Sequence, residues 1–521
     1  MWKSVANWFA SYLYFSKATL CIRGLVFSHS FVNHLVVSAL MAYVQDSIKK
    51  DSFAAVATNI INGVSSIMVC FLACISNAVG PFKVIAITNA AYFLGLIIFW
   101  VFDEPILVCG AALLVALGEA GRPASLGRFL EYQYSRETDD FKSPEKQNNP
   151  EAEKDHTLTR KEEDDPFRKE EKEDDKRKCA LWNHPWFLGA AVTLGFIKRS
   201  DGTQLLLSTI AMGVGYSLFW YGVFSYSRNS PAAEATHRDQ GLFQAIKTLS
   251  PPKKGGWRLG FSQRSESRKH YYKEMLVMCL AFIAYGLVEA TGSTFFFTQI
   301  TLVLDNGEIP AVTYFVILQS LSSSIISFFW SLLAPNRSKR ATLFRIGCGL
   351  VCSVLCMVVA WRVAIHMSKP GNIYLSLVWF IPQFCLLGCM RGLAIDGLIV
   401  FFADRVDGND KRQARYYGTY ASELVLGSGT LLIAASIFGF RGILDKVDQY
   451  YKYYRALAFI GGANLCYYFC VAFYFYTKED NVQSYTSNED KYQQNVSSGG
   501  AGSEENMEAV KLSCECCNNC F

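Results

Sequence analysis

Charge is scarce along this chain. Only 18% of its 521 residues are charged, and the formal net charge is +5. So small an excess, held in loops, excludes the broad cationic face that nucleic acid needs. Catalytic signatures are missing too. There is no metal-ligand spacing, no glycine loop of the kind that cradles phosphate, and no nucleophile elbow. An enzyme is therefore not expected, and neither a metal nor a cofactor is implied. Cysteine is plentiful, at 17, but no disulfide framework follows from it. Cys70, Cys74, Cys352, Cys356, Cys385 and Cys389 sit inside apolar runs, where the thiol behaves as a small hydrophobe. No short apolar stretch with a small-residue cleavage site opens the chain, and the first apolar run, from about Cys21, is long enough to be a mature span.

What the chain has instead is apolar length: 51% of it is hydrophobic and 14% aromatic. A bilayer core about 30 Å thick needs roughly 20 apolar helical residues per crossing. Only helices and closed barrels satisfy their backbone there. About twelve such stretches are present, near 22–44, 56–77, 82–101, 105–130, 182–198, 203–225, 274–300, 310–334, 341–365, 373–403, 416–438 and 456–476. We refer to them as spans one to twelve. The pattern predicts an all-α, multi-pass membrane protein in contact with a lipid bilayer.

Polar segments divide the series. Residues from about Arg136 to Lys178 are dense in Lys, Glu and Asp, too poor in apolar groups to pack, and are expected to be a solvated loop. A linker of about 226–272 contains Pro251, Pro252, Lys253 and Lys254 and splits the spans six and six. The expected units are thus 1–225, 226–272, 273–477 and a disordered tail, 478–521. Basic residues near span ends set orientation. Arg258, Arg264 and Arg268 of the linker, Arg337 and Arg340 after span eight, and Arg405 and Arg412 after span ten share one side. That side is the inside if both termini are cytoplasmic. Lys49, Lys50, Lys446 and Lys452 weaken the bias. The tail ends in Cys514, Cys516, Cys517 and Cys520, a cluster open to acylation or to no function at all. Asn518 in the fourth position from the end excludes a prenylation box.

An ionisable group at membrane depth costs about 2–3 kcal/mol or more and is a functional hypothesis by default. The alternative is a structural pair or a side chain that reaches the interface, which fits Arg345, Arg362 and His366 near loops. Deeper are His29 and His34 in span one, Glu119, Arg122, Arg128 and Glu131 in span four, Glu289 in span seven, Arg391 and Asp396 in span ten, and Glu423 in span eleven. Glu119 and Arg122 share a helix face, as do Arg128 and Glu131, so each pair is expected to meet. Arg391 and Asp396 lie about 140° apart around a helix and need partners elsewhere. Glu289, with no opposite charge a turn away, is expected to face a central cavity. His29, His34, Arg122, Glu289, Arg391, Asp396 and Glu423 are the substrate or coupling candidates.

Several stretches together resemble a family. Gly63-Val-Ser-Ser-Ile-Met68 with Phe82-Lys83 looks like spans two and three of the plant nitrate/peptide transporters. These belong to the proton-dependent oligopeptide transporter group of the major facilitator superfamily. Ala116-Leu-Gly-Glu-Ala-Gly-Arg-Pro123, Ser293-Thr-Phe-Phe-Phe-Thr-Gln299 and Trp379-Phe-Ile-Pro-Gln-Phe-Cys-Leu-Leu-Gly388 are similar to its spans four, seven and ten. The resemblance covers about residues 20–476 and implies a divergent plant member. It further implies twelve helices in two six-helix bundles and a mid-membrane cavity between them.

The departures matter for mechanism. Where the family has Glu-x-x-Glu-Arg-Phe for proton coupling, this chain reads Val26-Phe-Ser-His29-Ser30-Phe31. Both acids and the Arg are gone, though His29 can titrate. In the loop after span two, the family's Asp is Asn77 and its Arg is Pro81. The span-ten Glu that peptide carriers use for the substrate amine falls at Val400, which disfavours peptides. The family's basic residue in span four corresponds to Arg122 or, without a gap, to Pro123.

The resemblance therefore implies a transporter of a small solute (nitrate, a peptide, a hormone or another small organic anion) by alternating access, with proton coupling altered or lost. It would lie in the plasma or vacuolar membrane. A non-transporting sensor on a transporter scaffold, binding cytoplasmic partners through its loop or tail, is the other reading. A polar cavity reached by Arg122, Glu289 or Asp396 favours the first, and a cavity packed with apolar side chains the second.

Overall fold

The computed structural model describes residues 17–36, 51–102, 104–134, 184–196, 201–226, 261–303, 309–333, 339–368, 376–404, 411–444 and 449–498. The charged loop, most of the linker and the cysteine tail lie outside these residues. Among the described residues, nine helices are long and apolar enough to cross a membrane. They cover spans two, three, four, six, seven, nine, ten, eleven and twelve. Span one is described as Lys17–Leu35, span five as a helix over 184–193, and span eight as Ile309–Leu333.

Local chemistry explains several boundaries. Span three, Pro81–Val101, begins after Gly80, whose φ of 94° suits only a residue without Cβ. Pro81 then takes the first helical position, where its missing N–H costs nothing. Span four begins in the same way at Pro105. Pro123, deeper in span four, cannot donate to the carbonyl of the preceding turn. The helix answers with a π segment over Arg122–Leu126 and then continues to Tyr134. Span seven, Phe261–Gly292, begins before the expected 274. It breaks at Ser293-Thr294 and resumes as Phe295–Val303. Span twelve runs from Tyr450 to Ser498, so residues 478–498 of the expected disordered tail are helical.

Residues Met1–Cys466 form one compact unit and Tyr467–Phe521 a second. Within the first unit, span one packs on span six, span three on span four, span nine on span ten, and span ten on spans eight and eleven. Small residues set these distances. A Cβ on Gly118 would strike Tyr92, and one on Gly121 would strike Thr88, so span four can lie this close to span three only with glycine there. The two halves of the series meet mainly where span two crosses span eleven. At that seam a Cβ on Gly427 would lie 2.9 Å from the Gly63 carbonyl. Outward-facing positions remain apolar: Ile106, Ile87, Phe344 and Phe459 are well exposed, as lipid contact requires.

Candidate functional site

The ionisable residues found in the spans fall into three groups. The first is built on span four. Glu119 accepts from the Tyr92 hydroxyl at 2.7 Å through Oε1 and from Arg122 Nε at 3.3 Å through Oε2. The guanidinium of Arg122 lies 4.6 Å over the ring of Trp186 in span five, a cation–π contact. Behind Glu119 stands His29 of span one, fully buried. Its Nε2 lies 2.7 Å from Asn89 Oδ1, and its Nδ1 lies 3.8 Å from Glu119 Oε1. Ser30 donates to the Trp186 carbonyl at 2.5 Å and ties span one to span five. His34, one turn on, is buried with Nδ1 2.7 Å from the Ser30 carbonyl. A carbonyl only accepts, so Nδ1 donates, and Nε2 is left to accept from Ser320 of span eight at 3.5 Å. His34 thus touches the opposite half.

The second group is built on span ten. Arg391 Nε lies 3.6 Å from Glu289 Oε1 of span seven. The arginine side chain is 55% exposed while Glu289 is 21% exposed. Nearly every other position of span ten between Gln383 and Phe402 is buried or half-buried. The exposure of Arg391 therefore opens into the protein interior, toward the acid of span seven, and not onto lipid. Glu423 of span eleven faces Ser66 of span two and lies within electrostatic range of Arg391, Arg122 and Glu289. His34 is likewise within range of Arg122, Arg391 and Glu119. Charges from both halves thus converge on one interior region. Arg122, Glu289 and Arg391 keep part of their side chains exposed, at 24%, 21% and 55%.

Asp396 has its partner on span nine. It accepts from Arg345 at 2.7 Å and from Ser327 at 2.7 Å, and the same guanidinium donates to the Gly392 carbonyl at 2.8 Å. Spans eight, nine and ten are stapled by this cluster. Asp396, expected as a substrate or coupling residue, thus has an ion-pair partner in Arg345, and its side chain is 46% exposed. Glu289, expected to stand without a counter-charge, has one in Arg391. Sequence spacing missed it because the partner is about 100 positions away. It missed Tyr92, Asn89 and Trp186 for the same reason.

The third group lies where spans two, four and eleven end together. Arg128 donates to Asn77 at 2.5 Å and lies 5.6 Å over the Tyr416 ring. The Tyr416 hydroxyl donates to Glu131. The Tyr420 hydroxyl donates to the Ala124 carbonyl at 3.1 Å, and Cys70 donates to the Tyr420 carbonyl at 3.2 Å. Val69, Leu72, Ala73, Val84, Ala120 and Ala124 pack around Tyr420. Arg128 and Glu131, expected to meet each other, each engage another helix here. An apolar groove of about 730 Å³ between spans three and six, lined by Phe93, Trp100, Gly213 and Val214, holds none of these charges.

No family model matches the chain. It is 27% identical over 253 residues to the Arabidopsis thaliana protein NRT1/PTR family 5.7, covering 42% of this chain and 41% of that one. It is 29% identical over 189 residues to family 5.11 of the same plant, covering 32% and 33%. The chain thus matches less than half the length of these curated relatives. An auto-inhibited POT family peptide transporter superposes with a TM-score of 0.59 at 14% identity, over 87% of this chain and 96% of that one. The POT family transporter PepTSo gives 0.58 at 12% identity, over 90% and 99%. The nucleoside transporter NupG gives 0.56 at 13% identity, over 86% and 98%. Over part of its length the chain is similar to the plant NRT1/PTR proteins, and its fold is that of the POT transporters.

Proposed function

We propose that this protein is a multi-pass transporter that moves a small anionic solute by alternating access. The observation that carries the reading is the interior meeting of Arg122 and Glu119 from one half with Arg391, Glu289 and Glu423 from the other. A solute held between charges of two halves is released when the halves part. The most accessible of these groups is the Arg391 guanidinium, whose fork matches a carboxylate, nitrate or similar planar anion. Its acid partner at 3.6 Å is looser than a tight ion pair and leaves donors for a ligand. The NRT1/PTR and POT resemblance supports the same activity. Peptides are disfavoured because Val400 offers no counter-charge for an ammonium.

The basic loops support an orientation with both termini, the charged loop, the linker and the tail on the cytoplasmic side of a plasma or vacuolar membrane. Proton coupling, if retained, runs through residues other than the missing span-one acids.

The test is uptake by the full chain in proteoliposomes. Nitrate, small carboxylates, hormones and dipeptides are offered in turn, with and without an inward proton gradient. Uptake of at least one anion that falls with Arg391→Gln supports the reading. Uptake of none of them by correctly inserted protein, or anion uptake indifferent to Arg391 and Arg122, defeats it.

A further inference from the structure

The apolar groove between spans three and six stands apart from every charged group described above. Its volume of about 730 Å³ is that of a small-molecule site. Phe93, Ile97 and Trp100 form its wall on span three, and Ile210, Gly213 and Val214 its wall on span six. Ile210 and Val214 are 52% and 54% exposed, on a surface that faces lipid. Among the described residues no charged side chain lines the groove. The hydroxyl of Thr209, which also lines it, is spent on the Leu205 carbonyl at 2.8 Å. The spacing of the walls is fixed. A Cβ on Gly213 would lie 2.9 Å from the Phe93 ring, and the Tyr216 hydroxyl donates to the Ala86 carbonyl at 3.1 Å. The groove is therefore preformed, at a depth where only the bilayer can fill it.

The chemistry of the lining selects the occupant. A phosphate headgroup finds no cation there, so the occupant is neutral. Lipid tails are as apolar as the lining, so hydrophobicity gives no preference between lipids, and fit and entropy decide. A flexible acyl chain loses the freedom of many bonds when it lies along a fixed groove, whereas a rigid ring system loses almost none. The rings of Phe93 and Trp100 offer flat faces from one wall, and Ile210 and Val214 offer branched aliphatic groups from the other. Fused rings with one smooth and one methyl-bearing face match both. Trp100 lies in the last turn of span three, Pro81–Val101, where the span reaches the membrane interface. Its indole N–H is a donor for a hydroxyl at that depth. We infer that the groove is a sterol-binding site, with the sterol hydroxyl at Trp100 and the rings running past Phe93 and Val214 toward the bilayer centre. The inference does not depend on the transport reading.

Both walls belong to the first half of the series, so a bound sterol moves with that half and does not bridge to the other. Its effect is to brace span three against span six. Span three carries Asn89 and Tyr92, which hold His29 and Glu119 from behind. Span six carries Gly215, packed on Ser28 of span one. A ligand that binds only the folded bundle stabilises it in proportion to its occupancy. Sterol should therefore raise the melting temperature of the protein, and should do so through this groove.

The test uses the full chain in phosphatidylcholine nanodiscs that contain a sterol bearing a ring diazirine. After irradiation the labelled peptides are mapped by mass spectrometry. The expected result is labelling concentrated on spans three and six and suppressed by excess plain sterol. It should fall by about tenfold in Val214→Trp and in Ile97→Trp, which fill the groove from opposite walls. Plain sterol should raise the melting temperature of wild type and of neither variant. If one variant does not fold the other decides, and if neither folds the map and the competition decide. Labelling spread evenly over lipid-facing positions such as Phe344 and Phe459, or labelling that plain sterol does not displace, overturns the inference. So does a groove labelled by a phosphatidylcholine with an acyl-chain diazirine and indifferent to sterol, which would make the occupant an ordinary lipid tail. None of these readouts needs a transported solute, so failure here is distinct from failure of the uptake assay.

Discussion

At the scale of single residues, an intramembrane charge is decided by its partner. Arg391, in its pair with Glu289, is the most exposed of these cations, and Arg345, in its pair with Asp396, the most buried. Their variants should therefore separate. Arg391→Gln is expected to lower uptake at subsaturating solute by about tenfold or more, the loss of one charge-assisted hydrogen bond of about 1.5–3 kcal/mol. Thermal stability in detergent should change little, because this arginine is the most exposed group of its helix interior. Asp396→Asn should do the reverse: it leaves Arg345, 14% exposed, without its acid. Its unfolding temperature should fall while the KM of the surviving protein stays near wild type. Uptake and melting curves on both variants check the split. Two variants with the same profile would show that the assignment of roles is wrong. Sequence placed Glu289, Arg391 and Asp396 at depth and Arg345 near a loop. The pairs were not legible because each joins different helices, and helix spacing speaks only of neighbours three or four positions away.

At the scale of elements, span four concentrates the constraints. Its Gly118 and Gly121 let Tyr92 and Thr88 press against the backbone, and Tyr92 is in turn pinned by Glu119. Gly127, on the same helix, has nothing within 4 Å of a built Cβ. Gly118→Ala should therefore destabilise the protein by about 1–3 kcal/mol through overpacking. Gly127→Ala should be neutral or stabilising by up to about 1 kcal/mol, because alanine restricts the unfolded chain and suits a helix. Thermal melts of the two variants in one detergent give the comparison. The same element shows a limit of sequence spacing. Arg128 and Glu131 share a face, yet the π segment at Arg122–Leu126 precedes them and other helices crowd them. One meets Asn77 and the other Tyr416. Pro123 was visible as a helix breaker, but a kink, a stop and a π segment are equally available to a proline. Neighbouring helices select among them.

At the scale of the whole molecule, the proposed alternating access would need contacts that hold the halves together on one side and can be released. Tyr416 to Glu131, Tyr420 to Ala124 and Cys70 to Tyr420 join spans two, four and eleven in this way. Tyr416→Phe removes one charge-assisted bond without changing packing volume. The state in which this side is open should gain population by about tenfold, the equivalent of about 1.4 kcal/mol. Cys70, which lies in the seam, should then react with a maleimide correspondingly faster. Cys109 on span four should keep its rate. An unchanged Cys70 rate would remove Tyr416 from the gate.

The sequence by itself determined the class, the placement of the spans, the depth of the ionisable groups and the departures at His29, Asn77, Pro81 and Val400. Hydropathy over about 20 residues is a local property, and the bilayer reads it locally. The tertiary structure alone decided that Glu289 has a counter-ion, that Asp396 pairs with Arg345, that His29 stands 3.8 Å from Glu119, and that Arg122 rests on Trp186. Each of these joins residues far apart in sequence. Apolar helices pack through small residues whose matching partners are common along every span, so their patterning leaves several packings open. Only the assembled bundle, with glycines fitted against Tyr92, Thr88 and each other, selects one.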